Sequence, residues 1–252
     1  MDPTEQVAAY RRPDEGDRVT ARALVVQNGR SGGPRRFASW LTEHDIELDV
    51  RHPYRGDELP GTLEHDALIM LGGGYLPDDD ARAPWLAPVR EFVGAALESG
   101  TPYLGICLGG QLLAHVGGGE VQGQYGTPEF GSTALTLRPE AASDALFAGV
   151  PDDFTAIEHH VDAITRLPAG AVWLASSEAC PYQAFRLGDS AWGLQFHPET
   201  TPARINTWSQ ASLDRHGLDR AELHDAAVRD DARAVGIWQQ FATRFAARVT
   251  GA

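Results

Sequence analysis

Residues 104–114 read LGICLGGQLLA and contain one of the two cysteines in the 252-residue chain. The run TPYLGI, residues 101–106, predicts a short buried strand, and the LGGQLLAHV that follows Cys107 has the apolar spacing of a helix. Gly105 and Gly109 flank the cysteine, and this G-x-C-x-G pattern predicts a nucleophile elbow, a sharp turn from strand to helix. The helix N-terminus favours a thiolate, so Cys107 is a candidate nucleophile, although a lone cysteine is more often a buried structural residue.

Strand and helix patterns alternate on either side of this turn. Apolar runs predict strands at residues 21–28, 46–52, 65–75 and 101–106, and helical periodicity predicts helices at residues 33–45 and 83–99. Such alternation is typical of parallel βαβ units. From about residue 121 to 196 the pattern changes to short strands and turns, and the last fifty residues are again helical. We expect an α/β fold with a mostly parallel central sheet flanked by helices and an antiparallel insertion.

The chain shows no internal repeat and no low-complexity linker that would divide it. We expect residues 1–20 to form a flexible arm and residues 21–252 to form a single domain, with C-terminal helices from about residue 203. In that last segment Trp238, Phe241, Phe245 and Val249 share one helical face. This face either packs on the sheet of the same chain or docks a partner.

Composition narrows the range of functions. The formal net charge is −14, with 35 acidic and 21 basic side chains, which argues against nucleic-acid binding because phosphate contacts require clustered Lys and Arg. No apolar run approaches the length of a membrane span, and the polar N-terminus lacks the apolar core of a signal peptide. Two cysteines do not form a disulfide framework. We therefore expect a cytoplasmic protein that contacts neither nucleic acid nor membrane.

A thiolate nucleophile needs a base, and the segment GLQFHPE, residues 193–199, offers one. His197 follows a predicted strand, and Glu199 lies two residues further along the chain. Pro198 favours an extended backbone for the residue before it, so the side chains of His197 and Glu199 project to the same side. The carboxylate can then orient the imidazole and stabilise its protonated form, as the acid does in a catalytic triad.

Acyl chemistry also needs hydrogen-bond donors for a developing oxyanion. In MLGGGYLP, residues 70–77, three glycines follow a predicted strand at the sheet edge where α/β folds bind ligands. Glycine lets backbone N–H groups approach a substrate oxygen, and the N–H of Leu108, after the nucleophile, can supply a second donor. A GGG sequence alone is more often a flexible turn.

The segments GGGYLP, GICLGGQ, EFG, SSEACPYQAF and GLQFHPE, with their spacing, resemble class I glutamine amidotransferases. The similarity covers roughly residues 66–202 and is greatest to stand-alone proteins like the amidotransferase domain of GMP synthase. It implies a flavodoxin-like three-layer fold and a catalytic triad in which Cys107 is the nucleophile, His197 the general base and acid, and Glu199 its orienting partner.

The resemblance also implies substrate contacts. Gly73 and Leu108 match the positions that supply the backbone N–H groups of the oxyanion hole, and Gln111 matches a glutamine that helps to hold the glutamyl part of the substrate. The chain departs from the family pattern where Gly74 replaces a proline and where Val161 replaces a glycine. We expect His160 to line the pocket or to support it from behind.

The cluster of His159, His160 and Asp162 lacks further spaced ligands, so we expect no metal site, and no cofactor is implied. Cys180 matches a structural position and is expected to pack. The resemblance implies attack of Cys107 on the side-chain amide of glutamine, with ammonia passed to a partner synthase protein, because the rest of the chain is too short for a synthase domain. One alternative is a stand-alone hydrolase or peptidase acting on another γ-glutamyl amide. A second alternative is a catalytically silent regulatory subunit.

Overall fold

The computed structural model describes residues 21–252. The strands are β1 (Ala21–Val26), β2 (Ile46–Arg51), β3 (Ala67–Met70), β4 (Tyr103–Ile106), β5 (Glu120–Gln122), β6 (Glu129–Leu137), β7 (Asp153–His160), β8 (Ala163–Arg166), β9 (Val172–Ser176), β10 (Ala184–Leu187) and β11 (Ala191–Leu194). The α-helices are α1 (Arg35–Thr42), α2 (Leu86–Ser99), α3 (Leu108–Val116), α4 (Gln210–Asp214) and α5 (Arg220–Thr250).

Nine strands form one sheet in the order β2-β1-β3-β4-β11-β10-β9-β6-β7. The five strands from β2 to β11 in this order run parallel, and the other four continue the sheet in antiparallel pairs. The strands β3, β4 and β11 are buried throughout, as central strands covered by helices on both faces must be. The carboxyl ends of these strands face the candidate site.

Helices cover both faces of the parallel half. On one face α2 and α3 pack on the sheet through apolar side chains that include Val89, Val93 and Leu112. On the other face α1 and α5 pack together, with Phe37 and Phe241 stacked at a centroid distance of 6.4 Å. The result is a three-layer α/β fold of the type expected from the sequence.

Helix α5 covers the sheet with the apolar face that the sequence pattern indicates. Trp238, Phe241 and Phe245 are buried, and Val249 is partly buried against the same core. Trp238 packs on Phe196, with ring centroids 5.0 Å apart. This face therefore packs on the chain's own sheet and is not free to dock a partner.

Several details differ from the sequence-based expectation. The region from about 121 to 196 is not wholly antiparallel, because its last strand, β11, pairs in parallel with β4. The strands β5 and β8, which form a separate two-stranded sheet, were not predicted. The expected N-terminal arm, residues 1–20, lies outside the described residues. None of the helices within residues 21–252 has the length and apolar character needed to cross a membrane.

Candidate active site

Cys107 occupies the turn between β4 and α3. Its backbone has φ 53° and ψ −112°, a combination that side chains larger than glycine rarely adopt. The Cys107 N–H donates to the carbonyl oxygen of Leu194 at 2.7 Å, which fixes the turn against the neighbouring strand β11. The cysteine is 8% exposed. These dihedrals and this position are those of the elbow that the sequence indicates.

Three glycines make the turn sterically possible. A Cβ atom at Gly105 would overlap the backbone of Gly109, and one at Gly109 would overlap the carbonyl of Met70. A Cβ atom at Gly110 would lie 2.6 Å from the carbonyl oxygen of Leu194, closer than real Cβ contacts. The start of α3 can pack this tightly on β3 and β11 only because these positions lack side chains.

His197 and Glu199 lie beside the cysteine. Glu199 Oε1 is 2.8 Å from His197 Nδ1, and the Glu199 residue is 2% exposed. The His197 N–H donates to the carbonyl oxygen of Ile157 at 2.8 Å, which ties the residue to β7. The N–H of Arg36 donates to the Glu199 carbonyl oxygen at 3.2 Å. Backbone hydrogen bonds therefore tie both residues to other parts of the fold.

The electrostatics of this group favour a protonated imidazole. Burial by itself lowers the pKa of His197, but the negative charge of Glu199 and hydrogen bonding with Cys107 and Glu199 outweigh it. Together they raise the pKa of His197 well above its usual value. A protonated imidazole next to a cysteine stabilises the thiolate, which is the reactive form of the side chain.

The glycines after β3 lie against Cys107. A Cβ atom at Gly72 would lie 3.4 Å from Cys107 Cβ and 3.2 Å from His197 Cε1. At Gly73 a Cβ atom would lie 2.9 Å from Leu108 Cδ2, so these two residues are direct neighbours. Gly74 has open space around its Cα. The backbone of this loop can therefore approach the thiol as closely as a substrate oxygen requires.

Gln111 lies in a buried chain of amide groups beneath the thiol. Its Nε2 donates to Gln195 Oε1 at 3.0 Å and to the carbonyl oxygen of Asp162 at 3.3 Å. Gln195 Nε2 in turn lies 3.8 Å from Cys107 Sγ. The chain fixes one wall of the pocket and brings Gln111 close to the nucleophile.

His160 belongs to a buried polar cluster behind the pocket. Its Nε2 lies 3.1 Å from Glu129 Oε2 and 3.4 Å from Glu158 Oε2, and Gln183 Nε2 donates to Glu129 Oε2 at 2.7 Å. Burial, and next the charge of Glu129, raise the pKa of Glu158 well above its usual value. His160 also lines the cavity described below, so it both supports and borders the pocket.

The side chains of His159 and His160, two members of the cluster considered for a metal site, do not point toward a common centre. His159 lies 4.5 Å from Trp208, centroid to centroid, while His160 points to the other face of β7. Within residues 21–252 the one grouping of at least three possible metal ligands is Glu129, His160 and Cys180. Two of its members already share the hydrogen bond between His160 and Glu129.

A cavity of about 350 Å³ opens above Cys107. Its inner end is formed by the loop of glycines 72–74, Gln111 and His197. Its outer wall contains Phe130 and Trp208, with further residues from the segment 204–216. His159 is exposed to this cavity but crowded by Phe130 and Trp208, and burial, followed by the charge of His197, lowers its pKa to about 4.

The model of the family described as "Glutamine amidotransferase class-I" matches residues 38–208, more than half of the chain. The chain belongs to the class I glutamine amidotransferase family. Both the elbow around Cys107 and the segment that carries His197 and Glu199 lie within the matched residues.

Relatives of this amidotransferase carry the name of a synthase that hydrolyses glutamine. It is 46% identical over 220 residues to "GMP synthase [glutamine-hydrolyzing]" of Porphyromonas gingivalis. The aligned residues make up 84% of this chain and 41% of that protein. The protein of the same name from Streptococcus equi is 44% identical over 105 residues, or 40% of this chain and 20% of that protein. The chain thus spans about two fifths of the longer-matching relative.

Solved structures share the whole fold. A glutamine amidotransferase from Thermotoga maritima superposes with a TM-score of 0.81 at 25% identity, covering 90% of this chain and 98% of that one. A glutamine amidotransferase from Methylobacillus flagellatus gives a TM-score of 0.76 at 28% identity, covering 92% and 94%. These likenesses confirm the fold class expected from the sequence.

Some residues of this amidotransferase pocket were not found by sequence reasoning. Gln195 is fully buried, and its position at the end of the predicted apolar strand that leads to His197 was the available signal. Glu158 directly precedes His159 and His160, and nothing in the sequence around it indicates that it is buried. The cavity also contains Arg35, Arg204 and Arg215, which come from segments far apart in the sequence.

Proposed function

We propose that this chain hydrolyses the side-chain amide of glutamine and that Cys107, His197 and Glu199 form its catalytic triad. The observation that carries the proposal is the thiol on a strained elbow, next to an imidazole held by a carboxylate at 2.8 Å, at the inner end of a cavity. Such a nucleophile, base and orienting acid are the parts that covalent acyl transfer requires.

In the first step the Cys107 thiolate attacks the amide carbon of the glutamine side chain, and a carbon–sulfur bond forms. The carbon–nitrogen bond then breaks while His197, as imidazolium, donates its proton to the leaving nitrogen, which departs as ammonia. The neutral His197 next takes a proton from water, whose oxygen attacks the γ-glutamyl thioester. Glutamate leaves, and the thiolate and imidazolium are restored.

The negative charge that develops on the carbonyl oxygen needs donors at a fixed place. We assign this role to the backbone N–H groups of Gly73 and Leu108, which the close packing of their residues brings together. Gln111 and His160 also line the cavity, and we assign them to the glutamyl part of the substrate. A glutamine bound there presents its amide to Cys107 and its leaving nitrogen to His197.

The acceptor of the ammonia is a separate synthase protein in this proposal. Support comes from the printed name of the relatives, GMP synthases that hydrolyse glutamine. Docking next to the cavity would let ammonia pass to the synthase without release to solvent.

The direct test measures ammonia and glutamate formed from glutamine by the purified chain and by its Cys107→Ala variant. A Porphyromonas gingivalis GMP synthase with its own amidotransferase nucleophile removed is then added, and GMP formation with glutamine as nitrogen source is followed. Glutamine-dependent GMP formation that requires Cys107 supports the proposal. Equal glutamate production by the chain and by Cys107→Ala would refute it.

A stand-alone hydrolase of other γ-glutamyl amides is the second candidate. The observation that favours it is the coverage of the cavity by the chain's own segment around α4, because Ser212, Arg215 and His216 line its outer part. Brisk turnover of such amides by the isolated chain, without stimulation by a synthase, would establish this candidate instead.

A further inference from the structure

The cavity above Cys107 is larger than the reaction with glutamine requires. Its volume of about 350 Å³ falls within the roughly 300–1,000 Å³ typical of pockets that bury drug-sized ligands. The thiol and the imidazole occupy its inner end. Three arginines, Arg35, Arg204 and Arg215, line its outer part, together with Ser31 and Ser212.

Arg35 and Arg215 are exposed, and Arg204 is partly buried. Within residues 21–252, no carboxylate oxygen lies within 4.0 Å of any of their guanidinium groups. Arg35 donates to the Ser31 carbonyl oxygen at 2.6 Å, Arg204 to the Thr207 hydroxyl, and Arg215 to the Ser212 hydroxyl at 2.9 Å. Among the residues that the structure describes, their positive charges therefore have no direct counter-ion.

The carboxylates that do line the cavity are already engaged. Asp162 Oδ1 accepts the backbone N–H of Gln124 at 2.9 Å. Glu199 is held by His197, although its charge also acts at longer range on Arg35. The cavity is thus lined by two carboxylates and three guanidinium groups, so the charges of these five side chains sum to a net positive charge.

The positions of Arg35 and Arg204 are unfavourable in backbone conformation and in electrostatic energy. Arg35 has φ 45°, in the left-handed region that residues other than glycine rarely occupy. Burial lowers the pKa of Arg204, and the charge of Arg35 lowers it further, so the two guanidinium groups repel each other. Strained backbone and crowded like charges are typical of sites that bind a ligand.

Arg35 lies within range of the Glu199 charge, and Arg204 lies within range of Arg35, so we place these two arginines on the His197 side of the cavity, where the amine would depart. The glutamyl side is bordered by Gln111 and the Asp162 backbone, which are hydrogen-bonded to each other. His197 must face the leaving nitrogen to protonate it, and Glu199 lies directly behind His197. The helix that begins at Arg35 is bonded to the Glu199 backbone through the next residue, Arg36.

We propose that, besides glutamine, this site hydrolyses γ-glutamyl amides whose amine part carries a carboxylate, and that Arg35, Arg204 and Arg215 bind this carboxylate. The proposal rests on the catalytic role proposed above for Cys107. The thiolate adds to the γ-carbonyl carbon, the carbon–nitrogen bond breaks, and His197 gives its proton to the departing nitrogen of an amino acid. Water then hydrolyses the thioester to glutamate, as in the reaction with glutamine.

The test compares γ-glutamylglycine with γ-glutamylglycinamide, which has the same shape but lacks the carboxylate charge. Binding of each to the Cys107→Ala protein is measured by calorimetry, and turnover of each, and of glutamine, is measured with the unmodified protein. The same measurements are made on Arg204→Gln and Arg215→Gln. The matched control is Arg229→Gln, an exposed arginine on α5 that does not line the cavity.

We expect a preference of about tenfold for γ-glutamylglycine in affinity and in kcat/KM, equivalent to charge-assisted hydrogen bonds at a partly exposed site. Each arginine variant should reduce this ratio by about threefold, whereas Arg229→Gln should not change it. Added salt should also reduce it. Equal affinity for both compounds, or an unchanged ratio in both arginine variants, overturns the inference.

Hydrolysis of glutamine without any preference between the two dipeptide analogues overturns the carboxylate site but leaves the proposed function intact. If neither glutamine nor either amide is turned over, and a glutamine-like electrophile does not label Cys107, both proposals fail. Thermal denaturation of each variant shows whether the fold is retained.

Discussion

His197 Nδ1 and Glu199 Oε1 are 2.8 Å apart, although the two residues are separated by only one position in the chain. Pro198 and Glu199 lie in a turn, not in the extended backbone that the sequence predicts, and the Thr200 N–H donates to the His197 carbonyl oxygen at 3.3 Å across it. This turn brings the Glu199 carboxylate to the imidazole, so three consecutive residues supply the proposed base and its orienting acid. The carboxylate then fixes which ring nitrogen faces the thiol, because Nδ1 is already engaged.

Replacement of Glu199 by Gln tests this relationship. The amide keeps the size of the side chain but no longer stabilises imidazolium, so turnover of glutamine should fall by roughly 10²–10⁴, and by at least tenfold less than in Cys107→Ala or His197→Ala. The pKa of His197, followed by NMR, should decrease in the same variant, since the Glu199 charge raises it. Equal losses in all three folded variants would assign Glu199 a more direct part in bond making.

The two cysteines should differ sharply in reactivity. Burial, with the charges of Glu158 and Glu129, raises the pKa of Cys180 to about 12, so this thiol stays protonated. Cys107 lies at the start of α3 beside a protonated imidazole. A glutamine-like electrophile should label only Cys107, as read by peptide mass spectrometry. Labelling of Cys180 with normal turnover in Cys107→Ala would contradict the mechanism.

Tight packing at the elbow predicts opposite effects for two glycine substitutions. Gly109→Ala should lower the free energy of unfolding by about 1–3 kcal/mol, because its Cβ overlaps the Met70 carbonyl. Gly94→Ala should stabilise the protein by about 0.5–1 kcal/mol, because Gly94 lies inside α2 and its Cβ meets no atom within 4 Å. Urea denaturation measures both, and similar effects of the two changes would exclude this packing.

Glu158 makes stability depend on pH. Its pKa is raised in the folded protein by burial and by Glu129, so the folded state retains a proton that the unfolded chain loses above about pH 4.3. Stability from this group therefore decreases as pH rises. Glu158→Gln should stabilise the protein more at pH 8 than at pH 4.5 in chemical denaturation. A difference that does not vary with pH would show that Glu158 is ionised in the fold.

Local patterns predicted the local parts of this molecule. The elbow around Cys107 is encoded in a short motif whose backbone geometry follows from Gly, so it could be read directly from the sequence. The contact of His197 with Glu199 was predicted too, but through an extended backbone, whereas Pro198 and Glu199 lie in a turn. The alternating strands and helices of the parallel half follow in the same way from apolar spacing.

Contacts between distant segments could not be predicted in this way. The pairing of β11 with β4, the buried position of Gln195 and the meeting of Arg35 with Arg204 depend on the order of strands and on where loops return. The apolar periodicity of a single sequence indicates local helices and strands, but it does not indicate which distant segments come into contact. For the same reason the continuation of the parallel sheet by four antiparallel strands was expected only as an insertion.

The dihedral angles of Cys107 set a trade-off between stability and activity at one position. The elbow holds a residue with a Cβ atom at φ 53°, a conformation that costs about 1–3 kcal/mol. Both Cys107→Ala and Cys107→Gly abolish the nucleophile, but only glycine relieves the backbone, so the Gly variant should be more stable by about 1 kcal/mol in urea denaturation. Glycine at position 107 would then give an inactive protein that is more stable than one with a side chain at this position. Selection for stability alone would therefore favour loss of the cysteine from the elbow.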